Sequence, residues 1–209
     1  MLIILDFDGV LRSIPWKGLL EGYKALIVYK EKNPDDFFKN LKEFKEWYNK
    51  DFMKNLNMIG GFSRDELPIV DKVFHSAYDK YTRIFPWVPE LLKKLSEKHE
   101  LALLSSSSRN SIYGSLGDLR RYFSGPIFGS DDIDKKIKPD PEGIHLIVRK
   151  MDADYADAVI IGDSDADVIA GKRAGIKTGV VGWGIYEWEE LLSLNPDYKF
   201  KNPGKLFLL

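Results

Sequence analysis

The 209 residues carry 31 Lys and Arg against 32 Asp and Glu, a net charge of -1, so no general field draws nucleic acid or an anionic membrane and any anion-binding surface must be local. The absence of cysteine excludes disulfides, thiolate metal sites and cysteine nucleophiles. No apolar run approaches the roughly 20 residues of a membrane span and Met1 leads into a strand-like segment without a basic leader, so the expectation is a cytoplasmic protein built as one large domain or a core with an insertion.

Leu2 to Leu5 is wholly apolar, too short for a typical helix and without alternation, which reads as a strand buried on both faces of a parallel sheet. It ends in Asp6, Phe7, Asp8 and Gly9. Positions i and i+2 of an extended chain face the same way, so Asp6 and Asp8 point together into a crevice at the carboxyl edge, where open α/β sheets place ligands. Taken alone, the two acids serve equally well as turn and cap residues.

The following stretch is helical only. Leu19, Leu20, Tyr23, Leu26 and Ile27 share one helix face. Asn33, Pro34, Asp35 and Asp36 suit the start of a second helix, whose stripe Phe37, Phe38, Leu41, Phe44, Tyr48, Phe52 and Leu56 predicts one run as far as Gly60-Gly61. Ser63 and Glu66 have capping-box spacing for a third, with Leu67, Val70, Val73, Phe74, Ala77, Tyr78 and Tyr81 on its buried face. Core packing is the expected role of the aromatic stripe. Residues 14–85 thus form an inserted helical domain, a candidate cap, and residues 1–13 and 86–209 the core.

Past Pro86 and Pro89, which should break the pattern, helices and strands alternate. Strands are predicted at Leu101–Leu104, Ile127–Phe128, Ala158–Ile161, Thr178–Val181 and, in the tail, Tyr198–Phe200; helices at 90–98, 109–122, 142–151, from about Asp165 to a stop at Gly175, and 187–194. Alternation with short connections implies parallel strands joined by right-handed crossovers, a doubly wound α/β sheet of Rossmann-like form.

Three strands end in polar clusters: Asp6 and Asp8 after the first, Ser105 and Ser106 after the second, Asp163 and Asp167 after the fourth. Parallel strands share one carboxyl edge, so these groups converge. Gathered carboxylates call for a hard divalent cation, and Mg²⁺ suits the site better than zinc because neither Cys nor clustered His is present. Lys138 and the Ser105 hydroxyl then have the chemistry to hold the oxygens of a bound phosphate.

At this point the residues resemble a known family. Asp6-Phe-Asp8-Gly-Val-Leu, the serine after the second strand, Lys138-Pro-Asp-Pro141 and Gly162-Asp163-Ser-Asp-Ala-Asp167 are similar, in order, to the four motifs of the haloacid dehalogenase superfamily of phosphatases. The helical insertion looks like its type 1 cap, as in phosphoglycolate phosphatase-like and β-phosphoglucomutase-like members. The resemblance implies that Asp6 is the nucleophile and forms an aspartyl phosphate, and that Asp8 protonates the leaving alcohol and then activates water. It implies Mg²⁺ held by Asp6, the Asp8 backbone carbonyl and Asp163, with Asp167 in support. Ser105, the Ser106 amide and Lys138 would bind the phosphate of a small phosphorylated metabolite. The family's second motif often has Thr-Asn where Ser105-Ser106 stands. Relatives carry an acid shortly after the first motif where this chain has Arg12-Ser13, and Arg12 is read either as a ligand for an anionic substrate or as an exposed side chain. Asp165 is assigned to helix capping.

A β-phosphoglucomutase-like phosphotransferase stays open, because Ser105 to Asn110 and the Asp-Gly-Val of the first motif also fit that branch. A dehalogenase would not need Asp8. A receiver-like module switched by phosphorylation clusters similar groups but has no helical insertion. No nucleic-acid or membrane partner is expected, and the chain is taken as a monomer or weak dimer.

Overall fold

Strand β1 (Leu2–Leu5) alternates between two apolar layers. Ile3 and Leu5 pack with Val88, Leu91, Leu92 and Ile112, whereas Leu2 and Ile4 pack with Ile144, Ile147, Val148 and Ala170. Successive side chains of a strand point to opposite faces, so an unbroken apolar run is what a sheet covered on both sides requires. The computed structural model describes residues 1–133 and 136–209. The chain divides into two compact units, Met1–Ser13 with Ile84–Leu209, and Ile14–Arg83.

The Ile14–Arg83 unit holds helices α1 (Trp16–Tyr29), α2 (Leu41–Trp47), α3 (Phe52–Met58) and α4 (Leu67–Tyr78), with 3₁₀ turns at Pro34–Asp36 and Arg64–Glu66. The single second helix predicted from the stripe is therefore three pieces. Asn40 accepts from the Lys42 and Glu43 amides and starts α2, Tyr48 turns extended, and Asp51 accepts from the Met53 and Lys54 amides and starts α3. The spacing of apolar residues in the sequence runs on through each restart, so the periodicity does not register the breaks, while the Asn and Asp side chains favour fresh N-termini. Leu41 and Phe52, the first residues of α2 and α3, are exposed. Phe38, Phe44 and Leu56 are buried. The Tyr23 ring lies 5.9 Å from Phe44 and 5.4 Å from Phe74, and its hydroxyl accepts from Asn55 Nδ2 at 2.8 Å.

The other unit continues from β1 with α5 (Val88–Ser96), β2 (Glu100–Leu104), α6 (Arg109–Leu116), β3 (Ile127–Phe128), α7 (Glu142–Lys150), β4 (Ala158–Gly162), α8 (Asp165–Ala174), β5 (Lys177–Val181), α9 (Trp188–Ser193), β6 (Tyr198–Phe200) and α10 (Pro203–Leu206). The preceding helix ends at Tyr78, ahead of both prolines, and Pro89 sits in the first turn of α5, where its missing N–H has no helical partner to lose. The helix predicted over 109–122 stops at Gly117, whose φ of +49° an L side chain adopts only with strain, and a 3₁₀ turn completes the span.

Among the described residues six strands form one parallel sheet in the order β3-β2-β1-β4-β5-β6. The chain winds outward in one direction from β1 to β3 and in the other from β4 to β6, so the switch point lies between β1 and β4, where such sheets open a crevice. Leu5 stands opposite both Leu103 and Ile161, and the Asp6 amide continues the ladder to Ile161 O at 2.9 Å. That register carries Asp6, Ser105 and Asp163 to one sheet edge. Among the described residues no helix is long and apolar enough to cross a membrane.

Candidate metal and phosphate site

Asp6 leaves β1 buried, and Asp163 and Asp167 follow β4 on the neighbouring strand. One carboxylate oxygen from each of the three lies within 4.8 Å of the others. Lys138 Nζ bridges them, 2.7 Å from Asp6 Oδ1 and 2.5 Å from Asp167 Oδ1. Asp167 Oδ2 accepts from the Ser164 amide at 3.1 Å and the Ser164 hydroxyl at 2.5 Å, so the residue that closes the N-terminus of α8 is also part of the cluster. Asp163 Oδ2 accepts from the Ile185 amide at 2.9 Å. Asp165, assigned to the helix N-terminus from the sequence, is the first residue of α8 and also accepts from the Tyr186 hydroxyl at 2.9 Å, while Ser164 and Asp167 pair across the helix start.

The backbone is shaped around these acids. A Cβ at Gly9 or at Gly184 would run into the Asp163 carboxylate, and Gly9 also has a φ of +78°. Both positions admit only glycine if Asp163 is to stay where it is.

Three carboxylates against one ammonium leave the cluster short of positive charge. Burial pushes the Asp6 carboxyl well above its ordinary value, with the charges of Asp167 and Asp163 adding to the rise and Lys138 opposing it. Burial, reinforced by Asp167, raises Asp163 to about 7. Burial acts to strip Lys138 of its proton, but the charges of Asp167 and Asp6 outweigh it and hold the ammonium above its usual range. An all-oxygen donor set short of positive charge fits a hard divalent cation and not a soft one.

Asp8 stands apart from that cluster. Its Oδ1 accepts from Arg12 Nε at 2.7 Å and its Oδ2 from the Ser107 hydroxyl at 2.6 Å. Arg12 is fully buried, which overturns the exposed reading, and its guanidinium is engaged by protein groups in place of a substrate anion. Nη1 reaches the Ser111 and Ser115 hydroxyls at 2.9 and 3.1 Å, Nη2 reaches Ser107 Oγ at 3.4 Å, and Cζ lies 4.6 Å from the Phe7 ring centre. Ser105 is buried at the end of β2, its hydroxyl accepting from the Ser107 amide at 3.1 Å, and the Ser106 side chain is exposed. Asp6, Lys138, Asp163 and Asp167 thus share one network, Asp8 and Ser105 meet through Ser107 in a second, and the Ser106 side chain lies outside both.

Sequence reasoning missed Ser107, Ser111 and Ser115 as partners of Arg12. The spacing of four between Ser111 and Ser115 is the available signal, since it stacks two hydroxyls on one side of a helix, whereas Ser107 precedes α6. Nothing in the sequence marked the Ile185 amide.

Residues 3–181 match the family model described as haloacid dehalogenase-like hydrolase. Pyrophosphatase PpaX of Oceanobacillus iheyensis is 28% identical over 124 residues, 58% of this chain and 57% of the relative, so the chain spans less than two thirds of that protein's length. A phosphoglycolate phosphatase of Aquifex aeolicus is 31% identical over 225 aligned positions, covering 99% of this chain and 95% of the relative. The solved structure of a haloacid dehalogenase-like family hydrolase from Streptococcus pneumoniae superposes with a TM-score of 0.77 over 99% of this chain and 96% of its own, at 20% identity, a likeness of fold.

Proposed function

We propose, for a chain that belongs to the haloacid dehalogenase-like hydrolase family, a Mg²⁺-dependent phosphatase that hydrolyses a small phosphorylated metabolite through a phosphorylated Asp6. The observation that carries this reading is the buried cluster in which Lys138 bridges Asp6 and Asp167 while Asp163 completes an excess of carboxylate. The relatives named pyrophosphatase and phosphoglycolate phosphatase favour a small phosphorylated substrate.

The residues that would hold Mg²⁺ are Asp6, Asp163 and the Asp8 backbone carbonyl, with Asp167 in support, and the ion would supply positive charge that lets an anionic nucleophile approach an anionic phosphate. An Asp6 oxygen forms a bond to phosphorus as the bond to the leaving oxygen breaks, and Asp8 gives that oxygen its proton. Asp8 then takes a proton from water, whose oxygen bonds to phosphorus as the Asp6–phosphorus link breaks. Inorganic phosphate leaves and both acids are restored. Lys138, Ser105 and the Ser106 amide steady the phosphoryl oxygens, a preorganised arrangement whose groups need not reorient as charge develops. In this reading the helical unit is the cap and carries substrate selectivity.

The test is hydrolysis of an aryl phosphate. Turnover is expected with Mg²⁺, lost in EDTA and regained when Mg²⁺ is restored; turnover indifferent to the chelator defeats the metal assignment.

A further inference from the structure

We infer that Arg12 is a positioning residue for Asp8, fixing the carboxylate that transfers protons in the reaction proposed above, on which this inference rests. An arginine is almost never fully buried unless it is paired, and a buried ion pair is often replaceable by apolar side chains without loss of stability. Stability alone therefore gives no reason for a guanidinium here. Its partners do.

Both oxygens of Asp8 are engaged, Oδ1 by Arg12 Nε at 2.7 Å and Oδ2 by Ser107 Oγ at 2.6 Å, which fixes the plane of the carboxylate as well as its direction. A hydroxyl accepts as readily as it donates, so the Ser107 contact holds whether or not Oδ2 carries a proton. Arg12 is in turn held from behind. Ser111 and Ser115, one turn apart on α6, take Nη1 at 2.9 and 3.1 Å, and these neutral hydroxyls orient the guanidinium without competing for its charge.

The main chain is closed around the same pair. The Gly9 amide donates to Arg12 O at 2.7 Å, the Arg12 amide donates to Phe7 O at 3.0 Å, and Arg12 bridges to Ile84. Asp8 and the group that aims it thus belong to one short loop pinned to α6. Lysine cannot substitute, because a single ammonium on a flexible stem cannot reach Asp8 and the serines together as the planar fork does.

A general acid matters most when the leaving oxygen is a poor one, so the inference predicts a loss that depends on the leaving group. The experiment compares kcat/KM for an alkyl phosphate and for p-nitrophenyl phosphate, with Mg²⁺, in the full chain. Arg12→Met should lower the alkyl phosphate value by about 100-fold and the aryl phosphate value by less than about tenfold. Arg12→Lys should show the same selective loss, smaller in size. Ser107→Ala leaves the buried charge in place and decides the matter if Arg12→Met does not fold: it too should penalise the alkyl ester more than the aryl one.

Equal losses on both esters in folded variants, or no loss on the alkyl ester, overturn the inference and leave the phosphatase reading standing. Wild-type protein that hydrolyses neither ester, or an Asp6→Asn variant that hydrolyses both, defeats the phosphatase reading and this inference with it.

Discussion

Two charged clusters grow from the end of β1, two residues apart in sequence, and they are built on opposite principles. Around Asp6 three buried carboxylates share one ammonium, and burial drives Asp6 and Asp163 toward holding protons. Around Asp8 the carboxylate accepts from the Arg12 guanidinium and the Ser107 hydroxyl, and Ser111 and Ser115 accept from the same guanidinium. The first is unbalanced and gains from an added cation. The second pairs opposite charges directly, and its contribution is to hold a side chain in place. The Gly9 turn lets the chain pass from one to the other against the Asp163 carboxylate.

The largest effect is expected at Lys138. Lys138→Met leaves three buried acids without a counter-charge, and removing one partner of a buried pair typically costs about 3–5 kcal/mol. Denaturant unfolding without metal should show a loss of that order, and millimolar Mg²⁺ should recover part of it. A variant as stable as the parent in metal-free buffer would mean that the cluster is not short of positive charge.

A smaller effect, graded with pH, sharpens the same contrast. Asp163 stands near 7 in the folded chain, whereas an unfolded Asp titrates at about 3.9. Between those values the folded chain keeps a proton that the unfolded chain has released, so metal-free stability falls as pH rises through this window, Asp163 alone contributing up to about 1.4 kcal/mol per unit. Mg²⁺ binds the ionised form. The rise in Tm on adding Mg²⁺ should therefore grow from pH 5 to about pH 7 and level off above it. A Tm increment that does not change with pH would contradict the assignment of Asp163.

The sequence carried the architecture well where one rule acted alone. A four-residue apolar run has few alternatives to a strand covered on both faces, and parallel strands must share a carboxyl edge, so Asp6 and Asp163 could be brought together across a long stretch of chain. The breaks between α2 and α3 were hidden because Asn40 and Asp51 restart helices without interrupting the apolar spacing of the sequence. Arg12 was misread for a different reason. Its burial depends on hydroxyls from Ser107, Ser111 and Ser115, which are remote in sequence and carry no charge to advertise a partner. Periodicity reports which face a residue shares, not which distant polar group it meets.

In the proposed reaction Asp6 takes the phosphoryl group onto itself. Acid quenching during turnover of an aryl phosphate, followed by mass analysis of the peptides, tests it most directly. The account predicts a peptide containing Asp6 heavier by one phosphoryl group, present in the wild type during turnover and absent from Asp6→Asn, which should also lose about 10⁴-fold or more in kcat. A phosphoryl group found on another peptide, or near-normal kcat in Asp6→Asn, would contradict it.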